Sequence, residues 1–369
     1  MSRPMTLAFA AVLLVLAGCS TAPTARPTGE RPPDVDLVSS NNPVVVAPAL
    51  RPRPLPALGT NVAPVGLAVP TPPAFTVPTG TWIHLGRWSA ASQLGPLTKL
   101  QSGVAPVFTL ATPAGAFTVR AGSLLAQWDG LEVRLGYAPQ MIGGNLYLHT
   151  LDLQKCLIPL LTPLVLPARG ARVVVLDPGH GGTDSGTSSA LAGRFEKEYT
   201  LDWAKRLKPL LEEAGWVVFL TRTNDVEVAL PARVEFADAH KADLFLSLHF
   251  NATTGGEHAG IETYTTTPTG MPSSVTRAYE DNVVLTFPNN RHDAQNVRLA
   301  VRLHRAVLAA VGGRDRGVRR ARFLAVLRGQ NRPAVLIEGG YLSNPGEAKL
   351  VNTPEHRQKL ADAVAKVLQ

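Results

Sequence analysis

Cysteine is almost missing from this chain, with two residues in 369, Cys19 and Cys156. So small a number excludes a disulfide framework, and stability has to come from a buried core. Aromatic residues are also sparse, at 6%, and none interleave with a basic stripe in the way single-strand binders use. Nucleic acid is therefore not expected as a partner. Acidic residues are in deficit, 28 against 36 Lys and Arg, which leaves a formal net charge of +8. That excess favours an anionic environment such as a wall polymer or an anionic lipid surface. Long apolar runs are absent except near the N-terminus, so no later segment reads as a membrane span of about 20 residues.

The N-terminal run has its own explanation. Arg3 precedes the apolar region Leu7 to Leu16, and Leu16-Ala17-Gly18-Cys19 brings small residues up to a cysteine. This resembles a bacterial lipoprotein signal peptide over residues 1–18, which implies cleavage before Cys19 and lipid attachment to its sulfur. An ordinary secretory signal that contains a cysteine is the alternative. The lipoprotein reading predicts an exported protein of the cell envelope, anchored to a membrane by lipid and facing the wall or periplasm. Residues 19–80 read as a linker, because fourteen of the chain's 31 prolines fall between Ser20 and Gly80 and no periodicity is sustained. Cys156 sits in the apolar stretch Leu153 to Leu161 and reads as a buried thiol, not a nucleophile.

Residues 81–167 predict a small, mainly β domain. Short strands are expected at Trp82 to Leu85, Val107 to Ala111, Ala116 to Val119, Leu131 to Leu135 and Leu146 to His149, separated by turns such as Asp129-Gly130 and Gly143-Gly144. The run from Trp128 to Leu148, followed by a short helical stretch near Leu151 to Leu160, resembles the copper amine oxidase N-terminal-like domain. That likeness implies no copper, and His84 and His149 read as isolated strand histidines. It implies an accessory role in wall binding or positioning.

From about residue 170 to 369 the period changes, and apolar strands alternate with amphipathic helices. This predicts an α/β domain, an open, mostly parallel sheet with helices on both faces. Strands are expected at Val173 to Leu176, Trp216 to Leu220, Leu244 to Leu248, Ile261 to Tyr264, Phe323 to Leu327 and Ala334 to Ile337. Helices are expected from near Glu198 to before Gly215, with Pro209 kinking or shortening the first, around Pro231 to His240, near Ala294 to Val311, and from about Glu355.

Ligands collect beyond the carboxyl ends of strands in such sheets. Three chemically suitable residues stand just past strand ends: His180 in Asp177-Pro178-Gly179-His180-Gly181-Gly182, His249 in Ser247-Leu248-His249-Phe250-Asn251, and Glu338 in Ile337-Glu338-Gly339-Gly340. Glu196, beside Lys197, can fold back over the same rim. His180, Glu196 and His249 form a three-ligand zinc set with one open position, and Glu338 remains as a candidate acid and base. Asp184 stands close enough to orient the His180 ring or to cap the loop, and His258 could reach the site from the third strand's end. Arg314, Arg316, Arg319, Arg320 and Arg322 read as a solvated loop and strand edge, with a glycan carboxylate as the functional alternative.

The stretch from Arg172 to Gln369 resembles the zinc-dependent N-acetylmuramoyl-L-alanine amidases of the amidase 3 type. The matching residues are Leu176 to Gly182, Glu196-Lys197, Leu220-Thr221-Arg222, Arg233, Ser247 to Ala252, Gly260 to Tyr264, Arg316-Gly317-Val318, and Glu338 with Leu342-Ser343-Asn344. The resemblance implies Zn2+ on His180, Glu196 and His249, catalysis by Glu338, and hydrolysis of the amide between N-acetylmuramic acid and L-alanine in peptidoglycan. It also implies that a regulatory helix can occupy the place of residues 265–296, although the turn-rich sequence here predicts an ordinary substrate-side loop. Phe250 and Gly339-Gly340-Tyr341 depart from the family's usual residues without removing a ligand. A zinc peptidase acting within the stem peptide and a non-catalytic wall-binding lipoprotein remain as alternatives, and the sequence does not say whether a protein activator is needed.

Overall fold

The computed structural model describes Phe75 and residues 79–166, 172–276 and 281–369. The expectations for residues 1–74, Cys19 among them, lie outside the described residues. Alternating side chains build the first half. In chain order it runs β1 (Trp82–His84), α1 (Leu85–Ala91), β2 (Leu97–Gln101), β3 (Val107–Thr112), β4 (Gly115–Arg120), β5 (Leu125–Trp128), β6 (Leu131–Arg134), β7 (Gln140–Ile142) and β8 (Asn145–His149). A helical segment follows as α2 (Thr150–Asp152), a π-helical turn at Leu153–Leu157, and α3 (Ile158–Leu160). Strands β2 to β6 form an antiparallel meander. Phe108, Leu110, Phe117, Val119, Ala126, Trp128 and Val133 point inward and are buried, while their neighbours in sequence face water, the pattern of a sheet covered on one side. Cys156 is free and buried in this core, as its apolar surroundings predicted.

The second half contains β9 (Val173–Pro178), α4 (Glu196–Glu213), β10 (Val217–Leu220), α5 (Leu230–Ala239), β11 (Leu244–Asn251) and β12 (Ile261–Thr265). After a 3-10 turn at Pro288–His292 come α6 (Asp293–Val311), β13 (Asp315–Arg320), α7 (Ala325–Arg328), β14 (Ala334–Tyr341), α8 (Pro345–Asn352) and α9 (Pro354–Leu368). The strands lie in the order β10-β9-β11-β14-β12-β13. The first four are mutually parallel, and β12 and β13 run antiparallel to them. The sheet is thus mixed, with helices on both sides. Val174, Leu246 and Ile337 pack with Trp203, Leu207, Val297, Leu303 and Leu360 on one side. Val175, Phe245 and Leu336 pack with Ala237, Val326 and Leu327 on the other.

β13 also pairs with β6, Val318 opposite Val133, so the two halves share one sheet of 11 strands. Residues 167–171, where a boundary was expected, are outside the described residues.

Several expectations are corrected. Phe323 to Leu327 is not a strand: Leu327 and Arg328 donate their N–H groups to Leu324 and α7 forms instead, because a short apolar run suits a buried helical turn equally well. The arginine-rich segment is not a solvated strand edge, since β13 lies between β12 and β6 and Arg320 and Arg322 are buried. Pro209 does not shorten its helix, which continues to Glu213; Pro209 lies on the exposed side, where water can serve the carbonyl it leaves unbonded. The described residues between β12 and the 3-10 turn form no helix. That segment follows the end of β12 and returns to the start of the α7 region, where the N–H groups of Ser274 and Val275 donate to the Arg320 carbonyl.

Candidate active site

The sheet brings the four expected residues together. His180 follows β9, and Glu196 opens α4. His249 lies within the last turn of pleat of β11, directly opposite Glu338 on β14; both belong to their strands and do not follow them. Paired residues in adjacent strands project from one face, so His249 and Glu338 stand side by side.

His180 Nε2 is 3.0 Å from Glu196 Oε2, and His249 Nδ1 is 2.9 Å from Glu196 Oε1. One donor atom from each of these residues lies within 4.8 Å of the others. Two imidazoles and a carboxylate at this spacing are a donor set for a borderline transition metal such as zinc. Glycine makes room for it: a Cβ on Gly179 would collide with the His249 ring, and one on Gly186 would meet both His180 and Glu196. The residues present therefore fit a metal ion. Asp184 Oδ1 holds His180 Nδ1 at 2.8 Å, which orients the ring and leaves Nε2 for the cluster.

The electrostatics follow from burial and partners. Burial by itself would raise the Glu196 carboxyl, but its bonds to His180 and His249 overcome that and hold it well below the usual range. The N–H groups of Phe250 and Thr187 add to the same effect at 3.0 and 3.1 Å, and the N-terminus of α4 favours the negative charge. For His180, burial would lower the ring's pKa, yet Glu196 and Asp184 raise it overall.

The loop that carries His180 is held from behind by two arginines whose part was not read from the sequence. His180 itself adopts φ +63°, followed by positive φ at Gly181 and Gly182, a left-handed course that costs a residue with a Cβ on the order of 1–2 kcal/mol. Arg233 donates to the carbonyls of Pro178 and His180 at 3.0 and 2.9 Å and to Asp177 Oδ1 at 2.6 Å. Arg222 donates to the carbonyls of Gly179 and Lys197, both at 2.8 Å. Thr221 and Ser247 complete the shell around Asp177 at 2.7 and 2.8 Å. Lys197 ties the loop's far side through Gly182 O and Asp225.

Glu262 was also missed as more than a motif residue. It faces Glu338 across β12 and β14 and accepts from Asn251, Tyr264, Tyr341 and Arg316 at 3.0, 2.5, 2.8 and 2.8 Å, with Arg319 at 3.3 Å. The signal available in sequence was its place in the Gly260 to Tyr264 stretch, a glutamate two residues after a glycine in a short strand. His258, by contrast, is exposed and sits only loosely against the Tyr341 ring. A cavity of about 150 Å³ opens beside the cluster, with His180, His249, Asp177 and Arg233 on one side and Leu230, Phe323, Val326 and Leu336 on the other. Among the described residues, no helix is long and apolar enough to cross a membrane.

Comparison with known proteins adds an independent line. AmiC of Neisseria meningitidis, an N-acetylmuramoyl-L-alanine amidase, is 34% identical over 227 residues, covering 55% of this chain and 54% of the relative. LytC of Bacillus subtilis, named for the same activity, is 34% identical over 191 residues, covering 52% and 34%. The chain thus spans about half, or less, of the length of these curated relatives. The solved catalytic domain of CwlV from Paenibacillus polymyxa shares 30% identity over 53% of this chain and 95% of its own, with a TM-score of 0.44. The family profile described as N-acetylmuramoyl-L-alanine amidase matches residues 174–369, more than half of the chain and the whole of the region that holds His180, Glu196, His249 and Glu338, and the chain belongs to that amidase 3 family.

Proposed function

We propose that this protein is a zinc-dependent N-acetylmuramoyl-L-alanine amidase that hydrolyses the amide between the lactyl group of N-acetylmuramic acid and L-alanine in peptidoglycan. The observation that carries this reading is the placement of Glu338 directly beside His249, one edge of the His180, Glu196, His249 cluster. Those three residues would hold the zinc, with two neutral rings and one carboxylate leaving the site net positive. Zinc in such a site supplies Lewis acidity, which lowers the pKa of water to about 7 and polarises an amide carbonyl. Glu338 takes the proton from the attacking water and passes it to the amide nitrogen, so that the amine can leave. Asp184 fixes the His180 ring, and Arg222 and Arg233 keep the loop from relaxing out of its left-handed course. The apolar wall of the cavity suits the methyl groups that flank the scissile amide.

The N-terminal sequence supports the rest of the reading: export, lipid attachment at Cys19, and a proline-rich tether that lets the enzyme reach the wall from a membrane. Metal analysis and product mass spectrometry on purified sacculi test it together. The wild type is expected to carry zinc and release peptides that begin with L-alanine, and His180→Ala to lose both. Release of D-alanine alone would turn the reading to a stem-peptide peptidase, and zinc retained by His180→Ala would overturn the ligand assignment.

A further inference from the structure

His249 and Glu338 project from one face of the sheet, and the residues that follow them, Phe250 and Gly339, turn to the other, where α4 and α9 lie. There the two meet. A Cβ on Gly339 would fall 2.9 Å from Phe250 Cε1, 3.0 Å from Trp203 Cζ3 of α4 and 3.2 Å from Leu360 Cδ1 of α9. All three are closer than ordinary contact, so the space beside the bare backbone is already filled, chiefly by the edge of the Phe250 ring. Phe250 and Trp203 are buried, with ring centroids 5.5 Å apart, and Tyr199 meets Phe250 edge-on at 6.2 Å.

The strand bulges at the same place. Glu338 stands opposite His249, but the next pair is Asn251 with Tyr341, so β14 uses one residue more than β11 over this step. Gly340 absorbs the turn with φ +140°, a conformation open to glycine. Beyond it, the Tyr341 N–H donates to Glu347 at 2.7 Å and the Leu342 N–H to the Asn251 carbonyl at 2.8 Å. Gly339 has no such left-handed φ, so at that position only space opposes a side chain.

What rests on this pair is the helix that opens with Glu196. Tyr199 and Trp203 come three and seven residues after Glu196 and share its face, so their contact with the sheet sets where Glu196 stands. In that place Glu196 Oε1 accepts from the Phe250 N–H at 3.0 Å and lies 2.9 Å from His249 Nδ1. Phe250 therefore meets α4 twice, by its backbone at the site and by its ring behind it.

We propose that Phe250 and Gly339 are a fitted pair of positioning residues, ring against bare backbone, that seats α4 on the sheet and so holds Glu196 against His249. The proposal rests on the zinc-site reading for what Glu196 does once it is placed. Gly339→Ala in the full chain tests it by adding one methyl where there is no room. Zinc affinity, read by chelator competition, is expected to fall about tenfold, the size of effect that supporting residues have on metal ligands. In the metal-free protein, exchange of the Phe250 amide proton is expected to quicken, because its acceptor Glu196 is displaced. Adding Phe250→Leu to Gly339→Ala makes room again and should return both readings to within about threefold of the wild type, the signature of coupled neighbours.

Wild-type zinc affinity and wild-type exchange in Gly339→Ala would overturn the proposal, as would a double variant no better than the single one. Phe117→Leu, a core change in the other half, is expected to lower the thermal midpoint and leave both readings alone; if it moves them equally, they follow global stability and the proposal fails. If Gly339→Ala does not fold, Phe250→Leu and the double variant decide. The single change should then weaken zinc binding and quicken exchange by emptying the pair, and the added methyl should recover both; no recovery would overturn the fit. Should the wild type take up no zinc, the metal reading fails, and the exchange comparison alone decides on the pair.

Discussion

The two halves of this molecule share a sheet but solve opposite problems with it. In the parallel part, β9, β11 and β14 are apolar along their length because helices cover both faces. In the antiparallel part, β3 to β6 alternate, with one face packed and the other wet. The difference decides where chemistry can be placed. A strand covered on both sides can expose polar groups only where it runs out, so His180, His249 and Glu338 crowd at one rim. A strand covered on one side can carry a polar residue at every second position, which suits a wetted surface and not a site that breaks a bond.

The same contrast appears in two buried carboxylates. Asp177 and Asp152 are both inaccessible to solvent. Burial would raise both, but Asp177 has Arg233, Thr221 and Ser247 against it and is held below the usual range. Asp152 accepts from the N–H groups of Gly136 and Tyr137 at 2.7 and 2.9 Å and feels Arg320 at longer range; burial prevails and pushes it up to about 6.

The comparison can be broken most decisively at the rim. Glu338→Gln is expected to cut hydrolysis by a factor of about 10³ or more, read as kcat on a soluble fragment, with the thermal midpoint nearly unchanged. A loss of similar size from Thr118→Ala would erase the division of labour. Core changes come next and should not distinguish the halves: Phe117→Ala and Leu246→Ala are each expected to cost about 3–5 kcal/mol in denaturant unfolding. Arg233→Met removes one partner of a buried pair and should cost about 3–5 kcal/mol as well, and it should also depress activity, because the His180 carbonyl loses its donor.

A pH series sharpens the contrast further, since the two aspartates act with opposite sign. Asp177 titrates lower in the folded protein than in the unfolded chain, so its contribution is present at neutral pH and is lost as pH falls through the folded value. Asp152 titrates higher when folded, so its contribution is present below about pH 4 and is lost as pH rises through about 6. Across a pH series the share of stability that depends on Asp152 should therefore grow as pH falls through about 6, while Asp177→Asn should destabilise the protein at neutral pH and less so in acid; pH slopes of like sign for the two groups would refute the assignment. The smallest effect belongs to the wet face, where Thr118→Ala should change stability by no more than about 0.5 kcal/mol.

His180, His249 and Glu338 were legible because each closes an apolar run whose end can be counted, and Glu196 because it stands beside Lys197 in the stretch that follows the first strand. His180 also announced itself by the glycines around it. The direction of β12 and β13 was not legible, because register and polarity come from pairing with distant strands and leave no local mark. β13 itself was hidden by its charges: Arg316, Arg319 and Arg320 read as solvated until Glu262 and the Arg134 carbonyl are brought to them. Phe323 to Leu327 misled in the opposite sense, as an apolar run too short to reveal its period. Arg222 and Arg233 look like surface residues in a sequence, and only the fold shows that they grip the backbone of the His180 loop.

The pairing of Val133 with Val318 also bears on how this protein could be shortened. A fragment that began at Arg172 would contain every residue of the candidate active site, yet it would leave one side of β13 with bare N–H and C=O groups and strip from α6 the side chains of Leu153 and Leu157 that pack in the same cluster. Naked edges of that kind recruit other chains. A trimmed enzyme would be expected to self-associate through β13 unless the strand were capped, for example by a proline or an added charge on its outward side.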